Sequence, residues 1–233
     1  MIIRSYWLQK LPKRLGKGIY VVIDVWGATT NLAIMLSQKP KKLLITNKEQ
    51  LPRLLRQYPK AIIVGESLRG NIKFTVSNLP NEVEAANFKD KIIAFSTTSG
   101  TKAFEQLKRH HSIIGCAFNN ISAVAKFLRR QNQPVIIITA GDPNFRAQED
   151  EFGREVLIKE IRHEKYNWKN LQPKIKQLII DQETTHYSHL PGHQITPHLK
   201  SGIDTLLKRN QYSIIPTLQL DNNGFLEIVP LKH

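Results

Sequence analysis

IYVVIDVWGATTNLAIMLSQ, residues 19–38, decides how this chain is read. It opens as a continuous apolar run, the mark of a strand covered on both faces. The run reaches Asp24 and turns through Gly27-Ala28-Thr29-Thr30. TTNLAIMLSQ then carries Leu32, Ile34, Met35 and Leu36 as a short helix. Two further apolar runs end in comparable loops. KIIAFS (91–96) leads into Thr97-Thr98-Ser99-Gly100-Thr101, and VIIITAG (135–141) leads towards Gln148-Glu149-Asp150-Glu151. The first two loops are small and rich in hydroxyls, which suits oxyanions at a helix start. The third is a block of carboxylates, which suits a hard cation. A parallel sheet would bring all three loops to one edge, outside the carboxyl ends of its strands, where such folds bind ligands.

The same alternation extends along the chain. KLLIT (42–46), AIIVGE (61–66) and SIIGCAF (112–118) read as strands. NKEQLPRLLRQY (47–58), with Asn47 as a cap, reads as a helix. So do GTKAFEQLKRH (100–110), NISAVAKFLRR (120–130) and EDEFGREVLIKEIRHE (149–164). Asn78-Leu79-Pro80-Asn81 is a turn that launches a short helix over 82–87. Strands separated by helices predict an α/β fold: a mostly parallel or mixed central sheet between two helical layers. One domain is expected over 1–233, with a core at about 19–165 and a C-terminal extension, 166–233, packed on it. That extension contains a helix, SGIDTLLKRN, and two strands flanking the turn Asp221-Asn222-Asn223-Gly224.

Composition narrows the partners. No apolar run approaches the roughly 20 residues of a membrane span, and no signal-peptide pattern opens the chain, so a cytoplasmic protein without a membrane partner is expected. The single cysteine, Cys116, lies in an apolar strand and reads as a core residue. Thirty-four Lys and Arg against nineteen Asp and Glu give a net charge of +15. Such a surplus attracts anions. It is spread along the chain without a zinc-finger, RNP or basic-zipper motif, so a small anionic phosphoester is expected and nucleic acid is not. A homodimer is compatible with the sequence.

Each candidate residue has a bland reading beside the chemical one. Asp24, inside an apolar run, needs a partner: a metal ion, a phosphate site or simply the next helix start. Gly27 to Thr30 could hold an anion or form an ordinary turn. Neither hydroxyl loop is a nucleotide P-loop. Glu149, Asp150 and Glu151 either complement a helix dipole or supply ligands to Mg²⁺, one or two of them facing the site. Glu66, at another strand end, is a third ligand or a solvated acid. His186, His189, His193 and His198 surround Pro191 and Gly192 without the spacing of a zinc site, and read as a surface loop. Trp26 reads as packing.

Taken in order, these motifs resemble the 2-phosphosulfolactate phosphatase family. The family's Asp-x-x-Arg-Ala-Thr-Thr corresponds to Asp24-Val25-Trp26-Gly27-Ala28-Thr29-Thr30. Gly65-Glu66, Asn78-Leu79-Pro80, Thr97-Thr98-Ser99-Gly100-Thr101, Phe118-Asn119-Asn120, Ala140-Gly141, Glu149-Asp150 and Val229-Pro230 follow in family order. The resemblance implies a three-layer α/β/α fold and Mg²⁺-dependent hydrolysis of a phosphate monoester to sulfolactate, a step towards coenzyme M. It implies that Asp24, Glu149 and either Asp150 or Glu66 hold Mg²⁺, with Asp24 as nucleophile left open. Thr29, Thr30, Thr98, Ser99, Gly100, Thr101 and Asn119 would hold the substrate phosphate. Four departures stand out: Gly27 where the family has Arg, Ser99 for Asn, Leu79 for Ser, and Gly153-Arg154 for Cys-Ala. Arg is the side chain best shaped for a bidentate grip on phosphate or sulfonate. Arg154, Arg69 or Arg146 could replace it. The alternative is a non-catalytic, anion-binding member of the same fold.

Overall fold

The computed structural model describes residues 1–65, 74–187 and 196–232. Among them ten strands form one sheet. They are β1 (Ile3–Trp7), β2 (Ile19–Ile23), β3 (Lys42–Ile45), β4 (Ile62–Gly65), β5 (Val76–Ser77), β6 (Ile92–Ser96), β7 (Ile113–Cys116), β8 (Val135–Thr139), β9 (Pro216–Leu220) and β10 (Leu226–Pro230). The helices are α1 (Ala28–Ser37), α2 (Leu51–Gln57), α3 (Pro80–Ala85), α4 (Gly100–Leu107), α5 (Ile121–Arg129), α6 (Gln148–Arg162), α7 (Trp168–Tyr187) and α8 (Pro197–Leu206). The α/β architecture expected from the alternation is present. No described helix is long and apolar enough to cross a membrane.

Strand order is β1-β8-β2-β7-β9-β10-β3-β6-β4-β5. β1, β8, β2 and β7 pair in parallel, and so do β3, β6, β4 and β5. The β9–β10 hairpin separates these groups, and all three of its pairings, to β7, within itself and to β3, are antiparallel. Three reversals make the second parallel group run opposite to the first. The single edge expected for the three loops is therefore absent. Strand twist of roughly 20–25° per step turns the sheet by about 100–125° over the five steps from β2 to β6. A twist of that size swings the strand ends of the two groups towards each other, and the Gly100 loop does lie against Asp24 and Ala28.

The hairpin corrects a second expectation. Residues 216–230 were expected outside a core ending near 165, yet they lie in the middle of the sheet. Their turn is built by Asp221, whose Oδ1 accepts the N–H groups of Asn223 (2.9 Å) and Phe225 (2.8 Å). Lys42 and Tyr58 reach its Oδ2. β1 was not expected; its residues IRSYW break the apolar pattern, and it adds in parallel to β8 at the sheet's edge.

Alternation along the central strands divides the core. Tyr20, Val22, Ile136 and Ile138 face the same layer as Leu43, Ile45, Ile93 and Phe95, and α1 and α4 fill it with Leu32, Met35, Phe104 and Leu107. Val21, Ile23 and Ile137 face the opposite layer, with Val124 and Leu128 of α5, Val156 and Leu157 of α6, and Ile175 and Ile179 of α7. β2 and β8 are buried throughout, as expected for strands covered on both sides. Cys116 is fully buried, and burial pushes its thiol up, away from reactivity.

Candidate active site

Asp24 leaves the end of β2 and caps α1. Its Oδ2 accepts the N–H of Ala28 at 3.0 Å, and its carbonyl accepts both the N–H (3.0 Å) and the hydroxyl (2.7 Å) of Thr29. The helix-capping reading is therefore correct, but the surroundings go beyond a cap. A Cβ placed on Gly27 would fall 2.5 Å from Asp24 Oδ1, and one on Gly100 would fall 2.0 Å from Oδ2. The carboxylate lies in a slot walled by two glycines. It sits where α1, from one parallel group, begins beside α4, from the other. The start of a helix carries N–H groups without intrahelical acceptors and a positive dipole end.

The acids at the start of α6 approach from the β8 side. Asp150, 1% exposed, accepts the N–H of Val25 on Oδ1 (2.7 Å) and that of Gly141 on Oδ2 (2.8 Å). It thereby staples the loop after β2 to the loop after β8. Glu149, 4% exposed, accepts the side-chain amide of Gln182 on Oε2 at 3.0 Å. Glu151 turns outward to Thr139 and Arg154. Burial, then the fields of Asp24 and Glu183, push Glu149 up to about 7. Burial, then Asp24 and Glu149, raise Asp150 well above its ordinary value. The charge of Asp24 thus acts on both buried acids and favours their protonated forms, and neither Glu149 nor Asp150 has an ion pair with Lys or Arg among the described residues.

The expected phosphate contacts separate into two groups. Thr29, Thr30 and Thr101 donate their hydroxyl protons to the carbonyls of Asp24, Val25 and Thr97, and all three are buried. Each hydroxyl has one proton to give, so none remains for a phosphate oxygen. Asn119, also buried, donates its amide to the carbonyl of Thr30. These residues build the loops. Gly100 forms the Asp24 slot, and Thr98 and Ser99 are the more open residues of their loop. Asn31 holds the carbonyl of Asn78, which ties the Asn78-Leu79-Pro80 turn to α1. Of the basic residues, Arg154 pairs with Glu151 and Glu155 and reaches Ser5, while Arg146 lies over the Trp7 ring. Gly153 lets α6 approach β2, where a Cβ would meet Val25 and Ile23 at 3.0–3.1 Å. Glu66, Arg69, His189 and His193 lie outside the described residues, as do the side chains of His186 and His198.

Two residues of α7 enter the site without having been expected there. Gln182 holds Glu149, and Glu183 accepts the indole N–H of Trp26 at 2.8 Å. Trp26 also packs against the core, as expected. The buried stripe of α7 runs Ile175, Ile179, Gln182, Glu183, which is i, i+4, i+7, i+8. A search for helical period in apolar residues alone stops at Ile179, and Pro173 inside the helix hides it further.

All the donors of the cluster are carboxylate oxygens, which favours a hard cation. Among the described residues no three His, Cys, Asp or Glu side chains converge into a closed metal cage. Mg²⁺ does not require one, since it keeps several waters and takes one or two carboxylates together with substrate oxygens. Asp24 and Glu149 are the two acids that could supply them.

A family model described as 2-phosphosulpholactate phosphatase matches residues 7–221. The chain belongs to that family. The matched span contains every residue of the cluster and all of α7. A Clostridium botulinum protein named probable 2-phosphosulfolactate phosphatase is 25% identical over 225 residues, covering 91% of this chain and 88% of its own. Proteins of the same name from Carboxydothermus hydrogenoformans and Thermoplasma acidophilum are 29% and 31% identical over 164 and 136 residues. They cover 69% and 57% of this chain and 67% and 60% of their own. In this 2-phosphosulfolactate phosphatase family member the Asp24 loop, Gly27 and the Glu149-Asp150 pair all lie within the matched span.

Proposed function

We propose that this chain is a Mg²⁺-dependent phosphatase that hydrolyses a small phosphorylated acid, 2-phosphosulfolactate, to sulfolactate and phosphate. The observation that carries the proposal is that Asp24, held against the Gly100 helix start, acts electrostatically on buried Glu149 and Asp150, which lie more than a hundred residues further along the chain. Asp24 and Glu149 would hold Mg²⁺. Bound there, the ion would neutralise phosphoryl charge and orient the attacking water. The chain's own groups do the rest. The first turn of α4, with Thr98 and Ser99, presents N–H and hydroxyl donors to the phosphoryl oxygens. Asp150 fixes the spacing of the β2 and β8 loops by its two backbone contacts. The net charge of +15 draws an anionic substrate towards the surface.

A second reading has its own observation. Gly27 stands where the family has Arg, and a side chain there would meet Asp24 Oδ1. A member without that Arg could bind an anion and not turn it over. One assay separates the two: phosphate release from 2-phosphosulfolactate and a panel of phosphorylated carboxylic acids, with Mg²⁺ and with chelator. Mg²⁺-dependent turnover supports the phosphatase. Thermal stabilisation by the same compounds without turnover supports the binding protein and refutes the phosphatase.

A further inference from the structure

Helix α7 grips the acid cluster through two consecutive buried residues. Gln182 is 8% exposed and Glu183 5%. The Gln182 amide is held at both ends: its Oε1 accepts the N–H of Gln148 at 3.1 Å and its Nε2 donates to Glu149 Oε2 at 3.0 Å. A flipped amide would set N–H against N–H and oxygen against carboxylate, so the orientation follows from the partners. Ile175 and Ile179, both fully buried two turns and one turn earlier, anchor the helix to the core. Glu183 takes the Trp26 indole in the loop that carries Asp24. One rigid helix therefore touches both the Asp24 loop and the start of α6.

We infer that Gln182 is a positioning residue for Glu149: by occupying Oε2 it aims the remaining oxygen of that carboxylate at the Asp24 side, where the cation would sit. This rests on the metal-dependent reading given above. The competing account is purely structural, with Gln182 capping the first turn of α6 and nothing more. The two accounts differ in what cation binding should do. A group that orients a metal ligand typically changes metal affinity about 10–100-fold when removed. A cap changes stability and leaves affinity alone.

The test is Mn²⁺ binding to the full chain, followed by loss of the free-ion EPR signal, on wild type and three variants. Gln182→Met removes both amide contacts at similar length and should weaken Mn²⁺ binding about 10–100-fold. Ile179→Val trims the same helix where it enters the core, one turn before Gln182, and should lower the melting temperature while keeping Mn²⁺ affinity within twofold. Gln148→Pro removes the donor that anchors Gln182 Oε1. Proline is favoured at the first position of a helix, and Ala147 before it already has the extended backbone proline requires (ψ 121°). This variant should fold normally and bind Mn²⁺ severalfold more weakly. It decides the matter if Gln182→Met does not fold. Wild-type Mn²⁺ affinity in Gln182→Met, or in Gln148→Pro should the first variant not fold, overturns the inference; so does an equal loss in Ile179→Val. If wild type itself takes up no Mn²⁺, the metal-dependent reading falls first and the positioning role falls with it.

Discussion

Gly100→Ala should damage this protein far more than a single methyl suggests. The new Cβ would lie 2.0 Å from Asp24 Oδ2 and 2.4 Å from Ala28 Cβ. Carbon contacts settle at about 3.5–4.0 Å, so the starts of α4 and α1 must separate by roughly 1.1–1.6 Å. Asp24 can swing its carboxylate aside, but that gives up the Ala28 N–H. Ala28 is fully buried and fixed in α1, so it cannot yield. Overpacking of this kind costs about 1–3 kcal/mol. Loss of a charge-assisted contact adds roughly 1.5–3 kcal/mol. For a chain of this size about 2–4 °C is lost per kcal/mol, so the melting temperature should fall by roughly 5–24 °C. Displacing Asp24 by about 1 Å should also cut phosphate release on the order of 100-fold. The control is Gly224→Ala in the hairpin turn. There φ is +75° and no atom lies within 4 Å of the added carbon, so only the left-handed backbone opposes it. That strain is about 1–2 kcal/mol, and activity should be unchanged. A Gly100→Ala protein that melts within 2 °C of wild type would refute the slot as described.

Asp150→Ala should destabilise more than Asp150→Asn, because Ala orphans the N–H groups of both Val25 and Gly141 while Asn still accepts from one. Each orphan costs about 1–3 kcal/mol, and urea midpoints in the reverse order would contradict the staple. Glu149 has a folded pKa of about 7 against 4.5 as a free side chain, so the native state binds its proton more tightly than the unfolded chain does. In chelator its contribution to stability should therefore fall as pH rises from 4.5 to 7, by up to about 3 kcal/mol. Thermal melts should show that fall in wild type and lose it in Glu149→Gln; an identical pH slope in both proteins sinks the prediction. Asp221 behaves in the opposite sense. Burial pushes it up, but the Phe225 and Asn223 N–H groups, Tyr58 and Lys42 together outweigh burial and hold it below 3.8. Its stabilisation is present above 3.8 and lost as pH falls through the lowered value. Asp221→Asn should cost about 1–2 kcal/mol near neutral pH, a deficit that shrinks in acid denaturation experiments; a deficit constant with pH would argue against it.

The elements that repeat a simple period were legible. Ile121, Val124, Ala125 and Leu128 form the buried stripe of α5, and the unbroken apolar runs of β2 and β8 are buried on both faces, as their patterns indicate. The sequence pattern makes Asn47 the cap of a helix over 47–58. Its side chain does accept the N–H of Gln50, but the α-helix starts only at Leu51, after a turn. Asp24, Gly100, Glu149 and Asp150 could be picked out because each follows a strand in a loop of unusual composition. Thr29, Thr30 and Thr101 stand in the same loops and look alike on paper. Which way a hydroxyl points depends on the carbonyl it finds, and all three found one in their own backbone.

Local pattern alone therefore determined the α/β alternation, the identity of the strand-end loops and the carboxylates within them, because these depend on residues a few positions apart. The sense of the two parallel groups, the central place of the 216–230 hairpin and the arrival of Gln182 and Glu183 beside Glu149 and Trp26 were decided only in three dimensions. Strand pairing and helix docking are settled by contacts between segments tens to more than a hundred residues apart, whose free energy no short stretch of sequence carries.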